Sequence, residues 1–141
     1  MKGYLVDTNI PSELTQDHPD IRVVTFLRTN QKDSIFLGVL TIGEICKGIA
    51  LLAPSHRRNA LQDWLDLDVR AWYAGRILPV TEAIAERWGN LAAVASQQGI
   101  TVNIADGLIA ATAMEHGLTV VTRNVKDFKG LGLDIFNPWE M

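Results

Sequence analysis

Four oxygen-bearing side chains stand where strands end or helices begin. Asp7 closes the apolar run Tyr4-Leu5-Val6, and Glu44 ends Thr41-Ile42-Gly43-Glu44. Asp106 stands three residues after Asn103, and Asn124, with Asp127 close behind, follows Val121-Thr122. Each has an ordinary structural explanation. An Asp after a strand serves as a turn or cap residue. Thr41-Ile42-Gly43-Glu44 has the form of a capping box, and Glu44 can also pair with Lys47 one turn on. A carboxylate three residues after Asn103 is favoured by the helix dipole, and Asn124 and Asp127 suit a turn. Asp106 is the hardest to explain this way. It is the only charged residue between Arg87 and Glu115, on an otherwise apolar stretch, and a buried carboxylate must be paired or bound to a cation. Carboxylates converging from the four positions would raise one another's pKa values. Divalent magnesium or manganese, which prefers oxygen ligands, relieves that repulsion. Such a cation polarises a phosphate and makes hydroxide from bound water at neutral pH. The chemistry implied is metal-assisted hydrolysis of a phosphodiester.

Alternating strands and helices are what bring these positions to one edge. Tyr4–Val6 reads as a buried parallel strand, because it is unbroken rather than alternating, and ligands of open α/β sheets collect beyond such carboxyl ends. Beyond Pro11 a short helix is expected over 12–16, leading away from that edge, then a helix over 20–28 capped by Asp20 and burying Val24 and Leu27. A second strand covers 34–39. Thr41 then opens a helix with Ile42, Ile45, Cys46 and Ile49 on one face, stopped by Pro54. The next helix, 58–73, is expected to bury Leu61, Trp64, Leu65, Val69 and Trp72, with Arg57, Arg58, Asp63, Asp66 and Arg70 on a solvated face. A short strand over 77–80 precedes a long helix over 81–98 that faces Ile84, Trp88, Leu91, Ala92 and Ala95 inward, with Gly99 as its stop. Asn103 caps a helix ending at Gly117 whose apolar surface is nearly continuous, so it is expected to be buried on most sides. Strands over 118–122 and 133–136 complete the pattern of one α/β domain, residues 1–141, with a parallel sheet.

Composition narrows the class. The 141 residues are 48% hydrophobic and 21% charged, which fits a globular chain with a sizeable core. No apolar run approaches the ~20 residues of a membrane-spanning helix, and Met1-Lys2-Gly3 runs straight into the first strand without a signal-type apolar region. The expected location is the cytoplasm. The single cysteine, Cys46, excludes an internal disulfide and a thiolate zinc site, and is expected to be a small core residue. His18, His56 and His116 are scattered with no metal-ligand spacing. A net charge of −3 counts against nucleic acid as partner, although a cluster of metal-binding carboxylates would itself make the total acidic.

Asp7-Thr8-Asn9, Thr41-x-x-Glu44-x-x-x-Gly48, Asp106-x-Leu-Ile-Ala-Ala-Thr-Ala113 and Thr122-Arg-Asn124-x-x-Asp127-Phe128 occur in that order over 5–136. With these motifs the sequence resembles PIN domains, and more narrowly the VapC-type toxins of bacterial toxin–antitoxin pairs, in their FitB-like branch. The resemblance implies a central parallel β-sheet flanked by α-helices and a magnesium-dependent ribonuclease. It also implies an antitoxin partner that covers the site and carries any contact with operator DNA. By the same resemblance Asp7 and Asp106 are the main metal ligands, with Mn2+ as a substitute for Mg2+. Glu44 completes the acidic cluster, and Thr8 and Asn9 support it through hydrogen bonds. Asn124 stands where the family often has a fourth acid. It can ligate or orient water but adds no charge, which favours a one-metal site and leaves Asp127 a structural role at a helix start. Gly107 stands where the family commonly has Ala, which is expected to loosen the first turn of the Asp106 helix. Arg123 and Lys126, with Lys47, are the candidate cations for RNA or antitoxin. A homodimer is expected, through the 21–27 helix or the 64–72 helix.

Other chemistries fit less well. A receiver-type phosphoacceptor needs adjacent acids after the first strand, and Val6-Asp7-Thr8 supplies one. A haloacid-dehalogenase-like phosphatase needs Asp-x-Asp, and residue 9 is Asn. Dinucleotide binding needs a Gly-rich turn there. The rival from another class is a PIN-fold binding module that acts with a DNA-binding partner at an operator and has little nuclease activity. The acidic total charge and Asn124 favour it, whereas Asp7, Glu44 and Asp106 oppose it.

Overall fold

The computed structural model describes residues 3–141, so Met1 and Lys2 of the expected run into the first strand lie outside the described residues. Five strands form one parallel sheet: β1 (Tyr4–Val6), β2 (Ile35–Gly38), β3 (Ile77–Leu78), β4 (Thr119–Val121) and β5 (Ile135–Phe136). Their order is β3-β2-β1-β4-β5, with Val6 of the central strand facing Leu37 on one side and Val121 on the other. This is the parallel sheet expected from the alternating pattern. Strands added after β1 run outward to one side and then, from β4, to the other. The reversal lies between β1 and β4, and in such sheets it opens a crevice at the strands' carboxyl ends.

Alternation along β1 sends its side chains to two cores. Val6 joins Ile10, Val23, Phe26, Leu37, Ile45, Ile49, Leu65 and Val69 on one face. Leu5 joins Ala95, Ile109, Ala110, Ala113, Val120 and Phe128 on the other. The first layer comprises α1 (Asn9–Glu13), α2 (Ile21–Thr29), α3 (Val39–Ala50), α4 (His56–Asp63), a π-helical stretch (Trp64–Val69) and α5 (Arg70–Trp72). The second is built by α6 (Glu82–Gln97) and α7 (Ile104–His116). In α7, Gly107, Ile109, Ala110, Ala111, Thr112 and Ala113 are all buried, which accounts for a stretch with almost no polar face. Its ends are the expected ones: Asn103 Oδ1 accepts from the Ala105 amide at 2.8 Å, and Gly117 takes the left-handed conformation at φ 65°.

Several elements depart from expectation for identifiable reasons. The first helix begins at Asn9, not Ser12, so it starts one residue beyond the Asp7–Thr8 corner. In α2 the fully buried pair is Val23 and Phe26, and Val24 and Leu27 are half-buried beside them. Helix α3 begins at Val39 behind the cap residue Gly38, so Thr41 is no cap but a helix-interior residue, 1% exposed. Cys46 is exposed, because the buried line of α3 runs through Thr41, Ile45 and Ile49 and the next residue is turned away by about 100°. The expected 58–73 helix starts at His56 and widens into the π stretch, which keeps Leu65, Val69 and Tyr73 on one buried line at four-residue spacing. Strands β3 and β5 are two residues each, shorter than expected. Among the described residues no helix is long and apolar enough to cross a membrane.

Candidate active site

The backbone at the switch point places Asp7. Its amide continues the β1–β4 ladder by donating to the Val121 carbonyl at 2.9 Å, and its side chain is 7% exposed. Oδ1 accepts from the Thr8 amide at 2.8 Å. Oδ2 accepts from Thr122 Oγ1 at 2.9 Å and from Asn9 Nδ2 at 3.3 Å. Thr122 is fully buried at the end of β4, and its hydroxyl also accepts from the Asn124 amide at 3.0 Å. Asn9 reaches the same loop, with Oδ1 accepting from the Arg123 amide at 3.2 Å. Three donors therefore fix one carboxylate, and two of their side chains also bind the loop after β4.

Because α1 starts so early, Thr8 projects across the crevice. It makes no cap bond. Its hydroxyl donates to Glu44 Oε1 at 2.7 Å and lies 3.3 Å from the buried Thr41 hydroxyl. Glu44 is thus the sixth residue of α3, not part of a capping box, and among the described residues it forms no ion pair with Lys47. What resembled a cap motif in the sequence is a helix turn that aims a carboxylate at the end of β1.

Asp106 occupies the first turn of α7 and is half-buried. Burial pushes its carboxyl up to about 6, and the negative charges of Asp7, Asp127 and Glu44 add to the effect. The Asp7 carboxyl is also raised, chiefly by burial. Its bonds from Thr122 and Thr8 oppose the shift, and Glu44 and Asp127 reinforce it. Asp7 and Asp106 therefore both lie in the field of Glu44 and Asp127. Asp127 is the third residue of a 3-10 turn, Val125–Asp127, whose cap is Asn124, so it stands in the first turn of a short helix, as expected. Asn124 is exposed, and its side chain makes no cap bond.

Among the described residues no three Asp, Glu, His or Cys side chains stand close enough together, as placed, to clasp a metal ion. The donors are nevertheless all oxygen, and Asp7 and Asp106, raised by burial first and by their acidic neighbours second, are buried anionic groups of the kind a hard divalent cation stabilises. The donor chemistry fits Mg2+ or Mn2+. Of the candidate cations, Arg123, Lys126 and Lys47 are exposed and form no ion pair among the described residues, and the Arg123 guanidinium lies 5.2 Å over the Trp139 ring.

The sequence pattern of the PIN domain family matches residues 4–132 of this chain. The chain belongs to the PIN-domain family. This PIN domain is 37% identical over 135 residues to Toxin FitB of Neisseria gonorrhoeae, covering 96% of this chain and 97% of that one. It is 37% identical over 136 residues to VapC ribonuclease Y4jK of Sinorhizobium fredii, with the same coverage of 96% and 97%. Its fold matches the crystal structure of FitAcB from Neisseria gonorrhoeae with a TM-score of 0.92 at 36% identity, over 98% of this chain and 99% of that one. A structure of FitAB bound to an IR36 DNA fragment matches with a TM-score of 0.92 at 35% identity, covering 98% and 96%. The chain is therefore a PIN domain of the FitB and VapC branch, as the motifs implied.

Reading the sequence of this PIN domain missed Thr122 and Thr41. Both are hydroxyls at or near strand ends, and both contact the acidic group's hydrogen-bond network. The available signal for Thr122 was its place one residue beyond β4, matching that of Asp7 beyond β1. Strand order is needed to read it.

Proposed function

We propose that this PIN domain is a divalent-metal-dependent endoribonuclease, the toxin of a bacterial toxin–antitoxin pair, active in the cytoplasm and inhibited by its antitoxin. The observation that carries the reading is the buried Asp7 carboxylate at the β1–β4 switch point, fixed by Thr8, Asn9 and Thr122 within the field of Glu44, Asp106 and Asp127. Asp7 and Asp106 would hold Mg2+ or Mn2+, which when bound supplies a polarised phosphate and an activated water. Thr8 holds Glu44 in place, and Thr122 and Asn9 keep Asp7 from turning out of the crevice. Asp127 is the fourth acid, and Asn124 borders the site as an uncharged donor and acceptor. Relatives named as a ribonuclease and as a toxin support the activity and the role.

The partner reading has its own support. The matching FitAB structure is bound to DNA, and a VapBC2 complex of Rickettsia felis bound to a fragment of promoter DNA matches with a TM-score of 0.77 at 26% identity. By that likeness this chain meets operator DNA through an antitoxin, so operator binding and nuclease activity belong to different states of one protein. A cavity of about 320 Å³ offers a protein partner apolar cover, with Pro11, Leu14, Val24, Leu27, Trp64 and Trp72 in its walls. The two helices expected as alternative dimer faces both line this one groove. The test is expression in a bacterium. Growth arrests with the wild type, resumes with the co-expressed antitoxin, and is unaffected by Asp106→Asn. Arrest by Asp106→Asn equal to that of the wild type overturns the reading.

A further inference from the structure

The acids do not sit in an isolated pit. A cleft of about 270 Å³ is lined by Thr8 and Glu44 of the site and by Ile49, Leu61, Trp64 and Arg57. A hollow of about 440 Å³ shares Arg57, Leu61 and Trp64 with it and continues to His56. Together they form an open channel that has Glu44 of the acidic site at one end and His56 at the other, with apolar side chains, the Trp64 ring and Arg57 lining the stretch between them. Among the described residues Arg57 forms no ion pair and no side-chain hydrogen bond, and it lies in the first turn of α4, where the helix dipole disfavours a cation.

We propose that this channel is the path of the RNA strand next to the cleavage site, with one backbone phosphate on Arg57 and the intervening base against Trp64. The inference rests on the ribonuclease reading and extends it from the reacting bond to the neighbouring nucleotide. The set of environments matches a single strand: an acidic end where a phosphate would react, and beside it an aromatic wall for a base and a cation for a neighbouring phosphate. Proteins that hold single strands combine aromatic platforms with cations in this way. Because the chain is acidic overall, a few placed cations must supply the attraction. Arg57 is one that joins directly to the acidic site. An acidic peptide fits less well, since it carries no run of planar bases to set against the Trp64 wall.

The test uses the full chain with Asp106→Asn, so that RNA is bound but not consumed, and a fluorescent single-stranded RNA of twelve mixed nucleotides. Adding Arg57→Gln is expected to weaken binding up to roughly fivefold, the order of one exposed charge contact. It is also expected to lower the slope of log affinity against log salt by about 0.7, one phosphate on a single strand. Arg57→Lys should restore the slope, because it restores the charge. Arg57 is exposed, so thermal unfolding should be unchanged in both variants. If affinity and slope stay at the reference value while the Asp106-containing protein cuts RNA, the channel is not the strand path and the ribonuclease reading survives. If the reference protein binds no RNA and the Asp106-containing protein cuts none, both fail. If Arg57→Gln spares RNA binding but weakens the complex with the antitoxin, the channel belongs to the protein partner and the proposal is overturned.

Discussion

Asp106→Asn separates electrostatics from packing at this site, because the two side chains have nearly the same shape. In the folded chain burial pushes the Asp106 carboxyl up to about 6, above the ordinary value of about 3.8. A carboxyl raised in this way binds its proton more firmly when folded than when unfolded. Its contribution to stability is therefore fully present below about pH 3.8 and is lost as the pH rises through about 6. Above that the ionised carboxylate works against folding. A rise from about 3.8 to about 6 corresponds to roughly 3 kcal/mol. Asp106 is only half-buried and solvent screens it, so about 1 kcal/mol is the expected magnitude. In EDTA at pH 7.5, Asp106→Asn should be more stable than the wild type by about that amount, roughly 3 °C in Tm for a chain of this length. Near pH 4 the advantage should disappear. Urea unfolding of both proteins from pH 4 to 8 measures the difference directly. Saturating Mg2+ or Mn2+ should then raise the wild type and leave the variant little changed, since only a ligand bound to the native state stabilises it. A variant that is less stable than the wild type at pH 7.5 in EDTA, or a difference that does not move with pH, refutes the claim that repulsion and burial strain this carboxylate.

Thr122→Val keeps the shape of a fully buried residue but removes the hydroxyl shared by Asp7 Oδ2 and the Asn124 amide, so it should cost about 1–3 kcal/mol in denaturant unfolding and weaken metal binding. Gly107→Ala gains about 1 kcal/mol of helix propensity, but its methyl would meet Trp88 Cδ1 at 2.7 Å and Nε1 at 2.8 Å. The net effect should be a loss of about 1–2 kcal/mol, relieved when Trp88→Leu is added; a more stable single variant would show that Trp88 yields freely. Asp127→Asn should lower Mg2+ affinity more than Asn124→Ala does, as measured by calorimetry, and the reverse order would return the fourth position to Asn124.

Some of this architecture is written locally. The apolar triplet before Asp7, the Asn103 cap and the Gly117 stop are short-range signals, and the structure realises each of them. Other signals were ambiguous in themselves. In α2, Val23 with Phe26 and Val24 with Leu27 are both pairs at helical spacing, and only packing against β1 and Phe136 decides between them. Thr41-x-x-Glu44 resembled a cap because its spacing is that of a capping box, but the helix had already begun at Val39 behind a strand-like Gly38. The loosening expected from Gly107 is better described as close packing, since the missing methyl makes room for the Trp88 ring. Thr122 could not be read at all without strand order. Its value comes from β4 lying beside β1, a contact 115 residues away in sequence.

Asp7 and Asp106 are proposed as the metal-dependent centre of a ribonuclease. The most direct measurement is cleavage of a mixed RNA pool by purified, partner-free protein, with EDTA, with Mg2+ and with Mn2+, beside Asp106→Asn. Cleavage that requires the metal and is lost in Asp106→Asn is the expected result. Cleavage that persists at the wild-type rate in EDTA or in Asp106→Asn, or no cleavage by folded protein that binds the metal, would contradict the claim.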